Sequence, residues 1–268
     1  MRGLQQPRTD ARAVSLPWPD IYRRIARDVP RGQLFHKLDV DQRRFVFITG
    51  CQRSGTSWLR RSLGRVLRDA DAPKELDVAN LLLTGAPQPT APVVVLQTTF
   101  ANVYPESYSA LPPGIPVILA VRNPYSVCRS LVYNWDSLDV EYAHRCGGEA
   151  GAHLSSEEQR WQAAVEIYCG SLRANLALVT ARPARTHVVD YDAFAEHDTI
   201  GLHRLTSRLG LPIDGTASGV AADRTAARKQ ASLPDDFRQL IQATCVRPYQ
   251  ALIDRAQMLG TYCECNPN

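Results

Sequence analysis

Long apolar runs, paired cysteines and a strong net charge are all missing from this sequence, and each absence argues against a class of protein. No apolar run approaches the ~18 residues that a membrane span needs, and residues 1–30 contain no apolar signal-peptide core. The seven cysteines form no C-x-x-C pair, so we predict reduced thiols and no metal site. The net charge of +4 is small and scattered, which does not favour nucleic acid as a partner. These features predict a cytoplasmic protein without a membrane span.

The length and composition are those of an ordinary globular domain. A chain of 268 residues can bury a sizeable core, and 44% of its residues are hydrophobic while 22% are charged. We therefore predict a single domain over residues 1–268. Its polar, arginine- and proline-containing beginning, residues 1–17, is expected to be a loose arm.

Short apolar runs predict the strands of a parallel sheet. They lie at residues 45–48, 93–96, 117–121 and 186–190. Most are continuously apolar rather than alternating, which is typical of strands covered on both faces by helices. We therefore predict a three-layer α/β domain of the P-loop type, with a parallel sheet of four or five strands flanked by helices. In such folds, ligands bind at the carboxyl ends of the strands.

A glycine-bounded loop follows the first of these runs and precedes a segment with helical spacing of apolar residues. Such a loop directs backbone N–H groups, and the positive end of the helix dipole, at one spot and so makes an anion site. The spacing from Gly50 to Gly55 matches the Walker A pattern. However, Thr56 stands where a triphosphate-using enzyme needs lysine, and the cation of the loop is Arg53. The sequence predicts a phosphate-binding loop of another kind.

A second candidate phosphate motif begins where the run 117–121 ends. Asn123 suits a helix N-cap and Pro124 suits the first helical position, so Arg122 is placed at the end of a strand. Ser130 follows about two turns into the predicted helix.

Both motifs resemble those of sulfotransferases that use 3′-phosphoadenosine 5′-phosphosulfate (PAPS). The stretch Gln52-Arg53-Ser54-Gly55-Thr56-Ser57 resembles the 5′-phosphosulfate loop, and the stretch from Arg122 to Ser130 resembles the 3′-phosphate motif. The resemblance covers about residues 44–230. It implies in-line transfer of a sulfuryl group from PAPS to a hydroxyl of a small-molecule or carbohydrate acceptor. The product would be adenosine 3′,5′-bisphosphate, and no metal would be required.

The resemblance also implies roles for individual residues. Arg53 would stabilise the leaving 5′-phosphate, while Arg122 and Ser130 would hold the 3′-phosphate. Tyr191 begins a stretch similar to the family's R-Y-E-D-L element, whose tyrosine lies near the adenine, although Asp190 stands where arginine is usual. The remaining implied donor contacts come from the phosphate loop with Trp58 and from a later basic loop with Arg228 and Lys229, where Gln230 replaces the family's glycine.

Glu75 is the residue that we predict to be the general base. Cytosolic members of the family carry a Lys-Thr-His triplet after the second strand, but this chain reads Gln97-Thr98-Thr99 there. Another branch, with the tyrosylprotein and heparan-type enzymes, uses a glutamate about twenty residues beyond the loop arginine, and Glu75 occupies that place. Alternatively, Glu75 only caps a helix. The next candidates for the base are Asp77, Glu106 and, more distantly, His36.

Two other functions remain open at this stage. A P-loop kinase-like phosphotransferase is disfavoured by Thr56 and by Gln97, which stands where a Mg²⁺-holding acid is expected. A non-catalytic nucleotide-binding protein would keep the phosphate site but lack a working base. Residues 136–154 are polar and contain glycine, so we predict an irregular segment there that acts as an acceptor-side lid. The sequence determines neither the acceptor nor the oligomeric state.

Overall fold

The computed structural model describes residues 16–85, 88–134, 138–146, 154–196, 198–214 and 233–263. Its centre is a five-stranded sheet with the order β2-β3-β1-β4-β5, and all neighbouring strands are parallel. The strands are β1 (Arg44–Gly50), β2 (Ala70–Asp71), β3 (Val93–Gln97), β4 (Val117–Val121) and β5 (Thr186–Asp190). The predicted strands are confirmed, and the two-residue β2 is too short to leave a sequence pattern.

The helices of the described chain connect these strands and cover them. They are α1 (Trp18–Asp28), α2 (Thr56–Val66), α3 (Glu75–Thr84), α4 (Pro124–Asn134), α5 (Leu138–Cys146), α6 (Glu157–Ala181), α7 (Tyr191–Glu196), α8 (Asp198–Arg208), α9 (Asp235–Thr244) and α10 (Val246–Met258). Short 3₁₀ helices lie at Val29–Arg31, Thr99–Val103, Pro105–Ala110 and Pro183–Arg185.

The two faces of the sheet belong to two separate apolar clusters. Along β1, Phe45 and Phe47 pack into the cluster with α1, α3, α4 and α6, whereas Val46 and Ile48 pack into the cluster with α2 and α8. Successive side chains of a strand point to opposite faces, so a strand that is buried on both sides must be apolar at every position. The predicted three-layer α/β architecture is therefore confirmed.

The prediction of an irregular segment over residues 136–154 is wrong in its middle part, because residues 138–146 form α5. Glu141 is fully buried in this helix and forms an ion pair with Arg145, one turn away, at 2.9 Å. Tyr22 of α1 donates a hydrogen bond to the same carboxylate. Polar composition suggested a loop, but these polar groups satisfy one another inside the protein. Residues 135–137 and 147–153 lie outside the described residues, as do residues 1–15 of the predicted arm.

None of the helices in the described ranges combines the length and the apolar character that a membrane span requires. The 25-residue α6 is long enough, but it carries charged residues such as Glu157, Arg160 and Arg173 along its length. The apolar face of α6 packs into the core and lies against α4, α5 and α10.

Candidate active site

The loop between β1 and α2 makes a tight turn that needs left-handed backbone at two places. Arg53 has a φ of 68° and Gly55 a φ of 98°. The Ser54 hydroxyl closes the turn by donating to the carbonyl of Cys51 at 2.6 Å, and the backbone N–H of Ser54 donates to the same oxygen. The first N–H groups of α2, which begins at Thr56, have no acceptor within the helix. Such N–H groups, with the positive end of the helix dipole, favour an anion at this end of α2.

Gly55 is required for a second reason, because the ring of Tyr191 lies directly against it. A Cβ atom at this position would come within 2.1 Å of a ring carbon of Tyr191. The rings of Trp58 and Tyr191 pack edge to face, with their centroids 5.5 Å apart. The loop, the first turn of α2 and the start of α7 therefore form one tightly packed unit.

We expect Gly55→Ala to disrupt this unit. The positive φ alone costs an alanine about 1–3 kcal/mol, and the clash with Tyr191 must add to it. The variant should show a lower Tm and a loss of anion binding. Gly114→Ala is the matched control, since nothing lies within 4 Å of its added Cβ. A Gly55→Ala variant with unchanged Tm and unchanged anion binding would contradict this account of the loop.

The two predicted phosphate motifs meet in space. The Arg53 side chain donates from Nε to the Ser130 hydroxyl at 2.9 Å, although the two residues are 77 positions apart. Arg122 lies at the end of β4, where its Nη1 is 3.5 Å from the Arg53 carbonyl. The motifs converge because β1 and β4 are adjacent parallel strands, with Gly50 paired to Ala120. The structure thus brings together Arg53, Arg122 and Ser130.

The guanidinium of Arg122 is fixed on several sides but keeps one donor free. Its Nε donates to Asp192 at 3.2 Å, and its Cζ lies 4.5 Å from the centroid of the Tyr191 ring. The hydroxyl of Tyr168 holds the Arg122 carbonyl at 2.6 Å. The remaining nitrogen, Nη2, is buried and has no hydrogen-bond partner among the described residues. An unpaired buried donor is costly, so an oxygen acceptor bound at this atom would be stabilising.

The positive charges of Arg53 and Arg122 also favour a bound anion. Burial lowers the pKa of Arg53, and the nearby positive charge of Arg122 lowers it further. Two guanidinium groups held close together in a partly buried site repel each other. A bound anion with two charged ends would remove this repulsion.

Glu75 is the first residue of α3 and lies half-buried beside the end of β3. Gln97 donates to its Oε2 at 3.0 Å, while the Thr99 hydroxyl and the Phe100 N–H, at 3.3 Å, donate to Oε1. Burial raises the pKa of Glu75 to about 7, against the opposing effect of the hydrogen bonds from Thr99 and Phe100. A carboxyl with such a pKa can take up and release a proton near neutral pH.

Gln97 connects this carboxylate to the phosphate loop. Its side-chain nitrogen lies 3.1 Å from the Ser57 hydroxyl and 3.3 Å from the Thr56 hydroxyl, as well as next to Glu75. On the other side, the amide of Gln52 donates to the Thr99 hydroxyl, which in turn donates to Glu75. Glu75 is therefore tied to both ends of the loop that carries Arg53.

The other candidates for the base and the predicted basic loop form two groups. Asp77 and Glu106 are exposed, and His36 contacts the carbonyl of Gln33 at the surface, so none of these side chains lies in partly buried surroundings as Glu75 does. Arg228 and Lys229 lie outside the described residues. Sequence reasoning missed Asp192, which pairs with Arg122 and also accepts the N–H of Asn123 at 3.1 Å. Its only signal was a carboxylate two residues after the end of β5.

A metal-centred site is not seen in the described part of the chain. No group of three or more His, Cys, Asp or Glu side chains there could hold a metal ion. The charged groups of the candidate site are Arg53, Arg122, its partner Asp192, and Glu75.

Comparison with known proteins shows what the fold resembles. No protein-family model matches this chain, and no curated protein matches its sequence. Among solved structures, a sulfotransferase from Alicyclobacillus acidocaldarius matches with a TM-score of 0.50 and 16% sequence identity. The match covers 81% of this chain and 95% of that chain. At this identity the likeness concerns the fold alone, and the chain thus has an α/β fold shared with that sulfotransferase.

Proposed function

We propose that this protein transfers a sulfuryl group from PAPS to a hydroxyl of a small-molecule or carbohydrate acceptor, with Glu75 as the general base. The contact between Arg53 and Ser130 carries this proposal, because it brings the two predicted phosphate motifs next to each other. The solved sulfotransferase with a similar fold supports sulfuryl transfer by analogy. The described residues also include a carboxylate tied to the phosphate loop, which a purely binding protein would not need.

The residues present fit a donor that carries phosphates at both the 5′ and 3′ positions. Arg53 and the N–H groups at the start of α2 would hold the 5′-phosphosulfate end. Arg122 and Ser130 would hold the 3′-phosphate, and the buried Nη2 of Arg122 would gain the acceptor that it lacks. Tyr191, Arg228 and Lys229 remain predicted donor contacts. The donor supplies the sulfuryl group and a phosphate leaving group.

The roles of the protein groups follow from where charge changes in such a reaction. The transferred group carries little charge, so negative charge develops on the leaving 5′-phosphate, as in loose phosphoryl transfer. Arg53 and the amino end of α2 are preorganised to stabilise that charge without reorganising. Glu75, held by Gln97, Thr99 and Phe100, accepts the proton of the acceptor hydroxyl. Gln97 keeps the base next to the loop hydroxyls of Thr56 and Ser57.

The acceptor side of the site is expected beside α5. This helix packs against α1 and against the 3₁₀ helix Thr99–Val103, whose Phe100 binds Glu75. His144 of α5 contacts the hydroxyl of Tyr104 at 3.1 Å and stacks on Tyr22. We propose that α5, the described part of the predicted segment 136–154, lies beside the acceptor and influences its selection.

Calorimetry with adenosine 3′,5′-bisphosphate tests the donor assignment. We expect tight binding without Mg²⁺, and weaker binding of ADP, because ADP lacks the 3′-phosphate that Arg122 and Ser130 would hold. Equal affinity for the two ligands would contradict the assignment. ATP binding that depends on Mg²⁺ would favour a kinase-like phosphotransferase. Tight bisphosphate binding without sulfuryl transfer to any acceptor in a metabolite screen would favour a non-catalytic nucleotide-binding protein.

A change at Gln97 should alter the pH dependence of the reaction. Gln97→Leu removes a hydrogen bond to the ionised carboxylate, which raises the pKa of Glu75 above its value of about 7. Because the base must be ionised, activity rises with pH through this pKa. The acid limb of the kcat profile should therefore move to higher pH in Gln97→Leu. An unchanged acid limb would mean that Gln97 does not position the base.

A further inference from the structure

A cavity lies at the amino ends of the strands, opposite the carboxyl ends where the candidate active site is. It is formed at the amino ends of β1, β4 and β5 by the segment 112–116, the residues before β5 and the end of α8. Its volume is about 580 Å³, which is within the range of roughly 300–1,000 Å³ that small-molecule sites occupy. The seven-residue β1 separates it from the phosphate loop by about 20 Å. The cavity is therefore a separate site.

The titratable groups that line this cavity are all basic side chains. They are Arg43, Arg44, Arg185, His187 and Arg208, and no aspartate or glutamate is among the described lining residues. Arg44 donates to the carbonyl of Gly210 at 2.7 Å, and Arg208 donates to the carbonyl of Tyr262 at 2.9 Å. Carbonyl oxygens fix a guanidinium group without cancelling its charge. By contrast, Arg43 already has an acidic partner in Asp39 at 3.2 Å.

His187 reports the positive potential of this cavity. Its Nδ1 is buried and has no hydrogen-bond partner among the described residues. Burial, followed by the charges of Arg208 and Arg185, lowers the pKa of His187 to about 4. A neutral imidazole with an unpaired ring nitrogen therefore lies close to two cations.

The rest of the lining is apolar. It includes Val40, Phe45, Pro113, Ile115 and Leu209. Small-molecule sites combine such walls with a few convergent polar groups that fix the orientation of the ligand. A bare inorganic ion would leave these walls without a contact, whereas an organic anion would use both parts of the cavity.

We propose that this cavity binds a small organic molecule that carries a phosphate or sulfate group, with the anionic group at Arg185, His187 and Arg208 and the organic part against the apolar walls. The proposal goes beyond the function proposed for the loop at Arg53, since the two sites share no residue. A negative result for sulfuryl transfer would not affect this proposal.

Titrations followed by NMR of the His187 ring test this proposal at the site itself. The probes are phenyl phosphate, phenyl sulfate and phenol, and His187→Gln assigns the ring signals. We expect saturable shifts with one or both anions and none with phenol. Shifts with phenyl phosphate alone would mean that the cavity requires a doubly charged phosphate group. Shifts with both anions would mean that it accepts phosphate and sulfate esters alike. Equal shifts with phenol, or no shift with either anion, would overturn the proposal.

Calorimetry with Arg185 variants gives a second measurement that does not need the assignment. Arg185 is exposed, so Arg185→Ala and Arg185→Glu should leave the fold intact. We expect Arg185→Ala to weaken the site by about tenfold, the loss typical of one charge-assisted hydrogen bond, and Arg185→Glu to weaken it further. Arg24→Ala on the exposed face of α1 is the matched control and should bind as the wild type does. An equal loss of affinity in Arg24→Ala and Arg185→Ala would show that binding depends on net charge and not on a site at Arg185.

Discussion

Glu75→Gln is expected to lower kcat by roughly 10²- to 10⁴-fold while leaving the affinity for adenosine 3′,5′-bisphosphate nearly unchanged. The substitution keeps the size of the side chain and most of its hydrogen bonds to Gln97, Thr99 and Phe100. However, an amide cannot accept a proton from the acceptor hydroxyl. Steady-state kinetics with saturating donor measures the change, and calorimetry with the bisphosphate checks that the phosphate site is intact.

Asp77→Asn is the matched control for this experiment. Asp77 lies on the same helix, two residues further on, but it is exposed. Its removal should change kcat by less than about twofold, since exposed substitutions away from a site have small effects. If Glu75→Gln retains more than about a tenth of the wild-type turnover, Glu75 is not the base. If Asp77→Asn lowers kcat as much as Glu75→Gln does, the loss reflects a disturbance at the start of α3 and not the removal of a base.

Arg53→Ala and Arg122→Ala are expected to fail in different ways. Charge grows on the 5′-phosphate during the reaction, so the interaction of Arg53 with this group strengthens in the transition state. Arg53→Ala should therefore lower kcat, by roughly 10²- to 10³-fold by analogy with the loss of an oxyanion donor. The charge of the 3′-phosphate does not change, so Arg122→Ala should mainly raise the donor KM and the Kd of the bisphosphate.

The comparison needs a control for net charge, because each variant removes one cation. Arg61→Ala on the exposed side of α2 provides it. Its donor KM and kcat should both stay near the wild-type values. The reverse pattern, a kcat effect at Arg122 and a binding effect at Arg53, would exchange the two phosphate subsites. Equal effects in all three variants would indicate general electrostatic attraction of the donor.

The strand, loop and helix around Arg53 could be predicted from the sequence because their determinants are local. A run of apolar β-formers, two glycines at fixed spacing and a helical apolar pattern are all read within about twenty residues. The strand order was not predicted, but continuous apolar runs were sufficient to predict a parallel sheet covered on both faces. α5 was missed because its polar residues are paired inside the protein, as Glu141 is with Arg145, and local composition does not reveal such partners.

The sequence by itself determined the α/β fold class, the loop around Arg53 and the position of Arg122 at the end of a strand, since backbone pattern and residue spacing suffice for each. Only the tertiary structure decided that Arg53 contacts Ser130, that Asp192 holds Arg122, and that Gln97 lies between the loop and Glu75. The pKa of about 7 at Glu75 also depends on the fold. Burial and Coulomb interactions are set by distances in space, and these depend on how segments far apart in the chain pack together.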